Sequence, residues 1–116
     1  MAVAIAKEKW SSRVNEVVIG VEPNVVKVGG ENTLPFLRFE GVVPNRPVVA
    51  LEVWDMEPLD WPGMLTSAFD GVLDNPVAWA KKCEECGADL ICLTLISSHP
   101  DNKNSSPAEC AATAKA

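Results

Sequence analysis

This sequence predicts an α/β fold in which parallel strands alternate with helices. Three observations carry that expectation. Beyond Pro47, two apolar runs at residues 48–55 and 89–96 have the length and composition of strands buried in a parallel sheet. Between them, Asn75-Pro76 opens a helix, with a capping side chain followed by proline at the first helical position. After them, Ser106-Pro107-Ala108-Glu109 opens another, adding the Ser-x-x-Glu capping box. The order is strand, helix, strand, helix. A helical crossover carries the chain back to the same edge of the sheet, so the two strands should be parallel neighbours.

Each element follows from its own residues. Residues 14–19 and 25–28 are β-branched runs separated by a stretch containing Gly20 and Pro23, which reads as a β-hairpin. Residues 29–47 hold Gly29, Gly30, Pro35, Gly41, Pro44 and Pro47, a density that breaks regular structure and leaves at most short extended pieces such as residues 37–40. Gly29-Gly30 most simply serves a turn with positive φ. In the first helix Val77, Trp79, Ala80 and Cys83 fall at helical spacing, and Gly87 ends it. The second helix runs through Ala111, Ala112 and Ala114.

A chain of 116 residues is one domain or part of a larger one. Two strands do not make a stable parallel sheet, because both faces need covers. The sequence is therefore expected to be the opening of a larger α/β protein. Residues 47–116 would form about the first two βα units of a truncated (β/α)8 TIM barrel, and residues 1–46 an N-terminal extension of hairpin and irregular connector. A doubly wound sheet shares the element order but calls for a glycine-rich phosphate loop after its first strand. The connection at residues 56–74 is long, carries Pro58 and Pro62, and has no G-x-G-x-x-G.

Composition narrows the function. Hydrophobic residues at 47% and charged residues at 22% belong to a packed globular chain. A formal net charge of -6 supplies no basic field for phosphates, which argues against nucleic-acid binding. Residues 1–6 are too short and wrongly flanked for a secretory signal, and no apolar run approaches the ~20 residues of a membrane span. A soluble, cytoplasmic location is expected. There the four cysteines, Cys83, Cys86, Cys92 and Cys110, are better read as free thiols than as disulfides.

In folds of this type sites collect at the C-terminal ends of the strands. Those ends are Glu52, Trp54 and Asp55 with the loop 56–74, and Thr94 with the loop 97–105. Side-chain alternation places Val49, Leu51 and Val53 under the helices, leaving Ala50, Glu52 and Trp54 on the other face with Leu90, Cys92 and Thr94. Glu52 on that inward face needs a cationic partner or a wet mouth. Trp54 and Trp61 either stack on a flat cofactor or partner, or pack within the loop. His99, the only histidine, is either a general acid or base at the mouth or a solvated loop side chain. Cys83-Glu84-Glu85-Cys86 sits at a helix C-terminus without a second pair, unlike four-ligand metal sites and unlike redox pairs at helix N-termini.

A series of motifs then occurs in order. They are Val28-Gly29-Gly30-Glu31, Leu34-Pro35-Phe36, Phe39-Glu40-Gly41, Asn45-Arg46-Pro47-Val48, Leu51-Glu52-Val53-Trp54-Asp55, Trp61-Pro62, Asn75-Pro76, Trp79-Ala80-Lys81-Lys82-Cys83 and Gly87-Ala88-Asp89-Leu90-Ile91. Together they resemble the start of the small (delta) subunit of the corrinoid iron-sulfur protein, part of the CO dehydrogenase/acetyl-CoA synthase system. The resemblance runs from about Trp10 to the end. It implies a TIM barrel of which this chain is the N-terminal third or so.

It also implies a methyl carrier of anaerobic one-carbon metabolism, in the acetyl-CoA (Wood-Ljungdahl) pathway or in methanogenesis. The small subunit would pair with a large corrinoid iron-sulfur subunit that holds the corrinoid (cobamide) and the iron-sulfur cluster. The methyl group passes between a methyl-pterin, with its pterin methyltransferase, and acetyl-CoA synthase. The small subunit's part is to cap the corrinoid, an auxiliary role with no catalytic residue or metal ligand assigned to this chain. An apolar, water-excluding wall suits that task. The strand ends around Trp54, Asp55, Trp61, Thr94 and Ser97 are where such a wall is expected. The competing expectation is a barrel that itself binds a methyl-pterin, using a polar inward set with Glu52 and Thr94. A weaker one is a redox or metal module on Cys83 and Cys86.

Overall fold

A computed structural model describes residues 1–116. The chain divides into two compact units, Met1–Val48 and Val49–Ala116.

In the first unit, β1 (Val17–Val21) and β2 (Asn24–Val28) pair antiparallel with Val17 opposite Val28, joined by a turn with a cis Glu22–Pro23 bond. Gly29 and Gly30 take positive φ, 80° and 86°, as the chain leaves the hairpin. Gly30 N–H then donates to Val14 O at 3.1 Å, and Val14 N–H to Glu31 O at 2.8 Å, tying the hairpin's base. The Asn45 amide donates to Gly29 O and to Glu16 Oε2. Residues 37–40, expected to be extended, are turns instead: Leu37 N–H donates to Leu34 O and Glu40 N–H to Leu37 O. The buried Thr33 hydroxyl caps this segment by donating to Leu37 O, so local hydrogen bonds outweigh the extended tendency.

The second unit holds β3 (Ala50–Trp54), α1 (Gly63–Ala68), α2 (Pro76–Glu85), β4 (Leu90–Thr94), a 3-10 turn at Ile96–Ser98 and α3 (Pro107–Lys115). The strands β3 and β4 are parallel, with Ala50 opposite Leu90 and Trp54 opposite Thr94. Asn75 caps α2, its Oδ1 accepting from Val77 and Ala78 N–H at 3.1 and 3.2 Å. The far end closes on Gly87 at φ 89°, where Ala88 N–H reaches Cys83 O and Gly87 N–H reaches Glu84 O in a Schellman arrangement.

The core of this unit is Val53, Leu73, Trp79 and Cys83, with Leu51, Phe69 and Leu93 packed around it. Trp79 and Cys83 lie one helical turn apart, so both point from α2 onto the Val53 face of the sheet. The sheet is covered on that face alone. Both strands were expected to be buried on two faces, yet Ala50, Glu52 and Cys92 are exposed, because α2, which packs on both β3 and β4, covers the opposite face. The connection 56–74, read as a loop, contains the six-residue helix α1. Its signal is weak because Pro62 precedes it, no side chain caps it, and none of its residues is buried.

The capping box that opens α3 is complete. Glu109 N–H donates to Ser106 Oγ, and Ser106 N–H and hydroxyl both donate to Glu109 Oε2 at 2.7 and 2.8 Å. The backbone bond first, then the hydroxyl, hold the Glu109 carboxyl below its ordinary value of 4.5. A carboxylate with a depressed folded-state pKa adds stability above its unfolded value and loses it as pH falls through the folded one. The helical signal of α3 should therefore fade on acidification below 4.5, and Glu109→Gln should flatten that dependence. An unchanged acid transition in the variant would locate its origin elsewhere.

Candidate functional site

The C-terminal ends of β3 and β4 bring all five expected site residues to one end of the sheet. Trp54 ends β3 opposite Thr94, which ends β4. Asp55 follows Trp54, and its N–H continues the ladder by donating to Thr94 O at 3.3 Å. Ser97 lies in the 3-10 turn after β4 and is 4% exposed. Trp61, from the first connection, sets its ring edge-to-face on Trp54 at 5.1 Å between centroids.

The aromatic contact does not stop at the surface. Trp61 also meets the fully buried Trp79 at 5.6 Å and 89°, and Phe69 meets Trp79 at 6.1 Å. Trp54 and Trp61 are half-buried and packed on the core. Of the two alternatives the sequence framed, packing within the loop is the one these contacts describe. Trp79, which sequence reading placed only on a helix, is the base of this stack. Nothing in the sequence joined it to Trp61.

The polar residues are engaged with each other. The Asp55 carboxylate accepts from Ser97 N–H at 3.0 Å through Oδ1 and from the Ser97 hydroxyl through Oδ2. The Thr94 hydroxyl donates to Glu52 Oε1 at 2.6 Å. That bond first, and the neighbouring Trp54 indole second, hold the Glu52 carboxyl below the usual carboxylate range. The Trp54 Nε1 is itself buried without a partner in hydrogen-bond geometry, as is Trp79 Nε1. Glu52 therefore stays charged on the uncovered face, stabilised by a hydroxyl rather than by a cation from this chain. Parity placed Glu52 and Thr94 on one face, but their bond needed the strand register.

His99 and the cysteines stand apart. The His99 Nδ1 accepts from Asp101 N–H at 3.2 Å within its own exposed loop and lies 3.8 Å from the Asp101 carboxylate. Cys83 is buried in the core, and burial first, then the neighbouring Cys86, pushes its thiol pKa up, which disfavours the thiolate that metals and disulfide exchange require. Cys110 is buried and Cys86 exposed. Cys92, placed on a buried strand by sequence, is exposed because its face of the sheet is uncovered.

Half-buried indole rings beside mutually satisfied polar groups suit a ligand held by surface contact rather than by coordination. The residues present fit a wall against the corrinoid that the resemblance implies.

The family model described as CO dehydrogenase/acetyl-CoA synthase delta subunit matches residues 16–116. The acetyl-CoA decarbonylase/synthase complex subunit delta of Archaeoglobus fulgidus is 38% identical over 106 residues, covering 81% of this chain and 22% of that protein. The corresponding subunit of Methanocaldococcus jannaschii is 38% identical over 111 residues, 90% of this chain and 27% of that protein. That of Methanosarcina mazei is 36% identical over 113 residues, 90% and 26%. The chain spans about a quarter of the length of these relatives.

Proposed function

Because the chain belongs to the CO dehydrogenase/acetyl-CoA synthase delta subunit family, we propose that it supplies part of a barrel subunit that caps a corrinoid during methyl transfer. In this reading residues 47–116 form about the first two βα units of a (β/α)8 barrel, the large corrinoid iron-sulfur subunit is the partner, and the iron-sulfur cluster lies in that partner. The corrinoid supplies carriage of a methyl group between a methyl-pterin, handled by a pterin methyltransferase, and acetyl-CoA synthase. No helix of the chain is long and apolar enough to cross a membrane.

The observation that supports the reading is the aromatic wall at the strand ends. There the half-buried Trp61 ring is anchored edge-to-face on the buried Trp79, and Trp54 packs on Trp61 in turn, so the pair is held rigidly. Such a surface excludes water from a reactive cofactor without offering it a ligand. Thr94 and Ser97, at the same ends, hold polar groups in fixed bonds and keep them from disturbing that surface.

Trp61→Ala in the full-length subunit should weaken its association with the corrinoid-bearing partner and alter the visible spectrum of the bound corrinoid, with secondary structure kept. A complex in which the macrocycle rests on the N-terminal ends of the strands would overturn the reading.

The Glu52–Thr94 pair supports a second reading, a barrel that binds the methyl-pterin itself, since a charged carboxylate on the inward face can accept from ring N–H groups. Calorimetric titration with a methyl-pterin separates the two: binding abolished by Glu52→Gln would favour the second, and no binding the first.

A further inference from the structure

We propose that Asp55 is a positioning residue, which sets the loop after β4 at a fixed height beside the Trp54–Trp61 surface and does not itself touch the ligand. The inference rests on the reading of that surface as the corrinoid wall. Its basis is a linkage in which one side chain joins two strand ends.

Both Asp55 carboxylate oxygens are engaged, one by Ser97 N–H at 3.0 Å and the other by the Ser97 hydroxyl. The Asp55 N–H is engaged by Thr94 O. Ser97 is in turn held at every polar atom, because its carbonyl accepts from Ser105 N–H at 2.8 Å. Ser97 and Ser105 thus close the base of a loop whose interior is cross-linked. Asn102 Nδ2 donates to Ile96 O at 2.8 Å, and Asn102 and Asn104 N–H both donate to His99 O. Asn104 sits at φ 51°, a conformation kept by those surroundings. Helix α3 begins at Pro107, directly after its Ser106 cap. Loop and helix entry are therefore both referred to β3 through the Asp55–Ser97 bonds.

A carboxylate held through both oxygens by one buried serine is fixed in orientation toward the loop. Its loss would leave the buried Ser97 N–H and hydroxyl unpaired, and the loop would move to satisfy them. The effect on a ligand would thus be transmitted through the loop.

The test uses the full-length subunit with its corrinoid-bearing partner and compares Asp55→Ala, Asp55→Asn, Ser97→Ala and Trp61→Ala. Asp55→Ala should speed amide exchange across residues 96–105, weaken association about tenfold, the loss expected for a charge-assisted bond, and shift the corrinoid's visible spectrum. Asp55→Asn keeps an acceptor for the Ser97 N–H and a donor for its hydroxyl oxygen, so it should restore most of the affinity and the spectrum. Ser97→Ala, which leaves the backbone bond in place, covers the case in which Asp55→Ala fails to fold, and should shift the spectrum in the same direction. If exchange quickens in Asp55→Ala while affinity and spectrum stay unchanged, and Trp61→Ala alters both, the positioning role is overturned and the wall stands. If neither variant alters affinity or spectrum, the wall itself is refuted and the positioning role with it.

Discussion

Trp79→Ala should abolish cooperative folding of residues 49–116, at a cost of about 3–5 kcal/mol. The side chain is 0% exposed and is the largest of the fully buried residues. It packs with Val53, Leu73 and Cys83 and carries the edge-to-face contact of Trp61 and the tilted contact of Phe69. A core this small has few neighbours able to collapse into the space left behind. Trp79→Phe should cost much less, because it keeps an aromatic ring and removes the buried, unpartnered Nε1–H. Urea denaturation followed by far-UV circular dichroism checks both. An alanine variant that unfolds at the parent's midpoint would show that the fold's stability does not depend on this aromatic centre.

Gly29→Ala should open the base of the hairpin in the first unit. At φ 80° an added Cβ would lie 2.2 Å from the Asn15 carbonyl oxygen, which is backbone and cannot swing aside. The left-handed conformation alone costs an L-residue about 1–2 kcal/mol, and relief of the clash has to break the Val14–Gly30 and Val14–Glu31 hydrogen bonds. Faster amide exchange across Val17–Val21 and Asn24–Val28 is the expected readout. Gly63→Ala is the matched control, since nothing lies within 4 Å of its added Cβ. Equal exchange in the two variants would mean that the Gly29 turn is dispensable to the hairpin.

Much of the second unit was legible because its signals are local. Asn75 and Ser106 cap the helices they were expected to cap, and Gly87 closes α2. These are interactions within three or four residues, so residue type and spacing contain the whole of the information. The parallel pairing of β3 and β4 followed from the crossover between them. Helix α1 was missed for the converse reason, since it has neither a cap nor a buried face to leave a periodic trace. The turns at residues 37–40 were missed because Thr33 contributes a hydrogen bond that a propensity reading does not weigh.

The candidate site was legible as a place before it was legible as a mechanism of support. Strand-end position identified Trp54, Asp55, Trp61, Thr94 and Ser97, but assigned all of them to ligand contact. The contacts divide them: the half-buried Trp54 and Trp61 rings pack edge-to-face on each other, while Asp55 and Ser97 hold each other and the Thr94 hydroxyl donates to Glu52.

The amino-acid order alone determined the helix caps, the turn at Gly29-Gly30, the alternation of faces along β3 and β4, and the family. Only the tertiary structure decided that Asp55 meets Ser97, that Thr94 meets Glu52, each across 42 positions, and that Trp61 docks on Trp79. Those partnerships depend on the register between β3 and β4, where a slip of one residue would send every side chain to the opposite face. Local preferences do not set that register; burial of Val53 beneath Trp79 and Cys83 does.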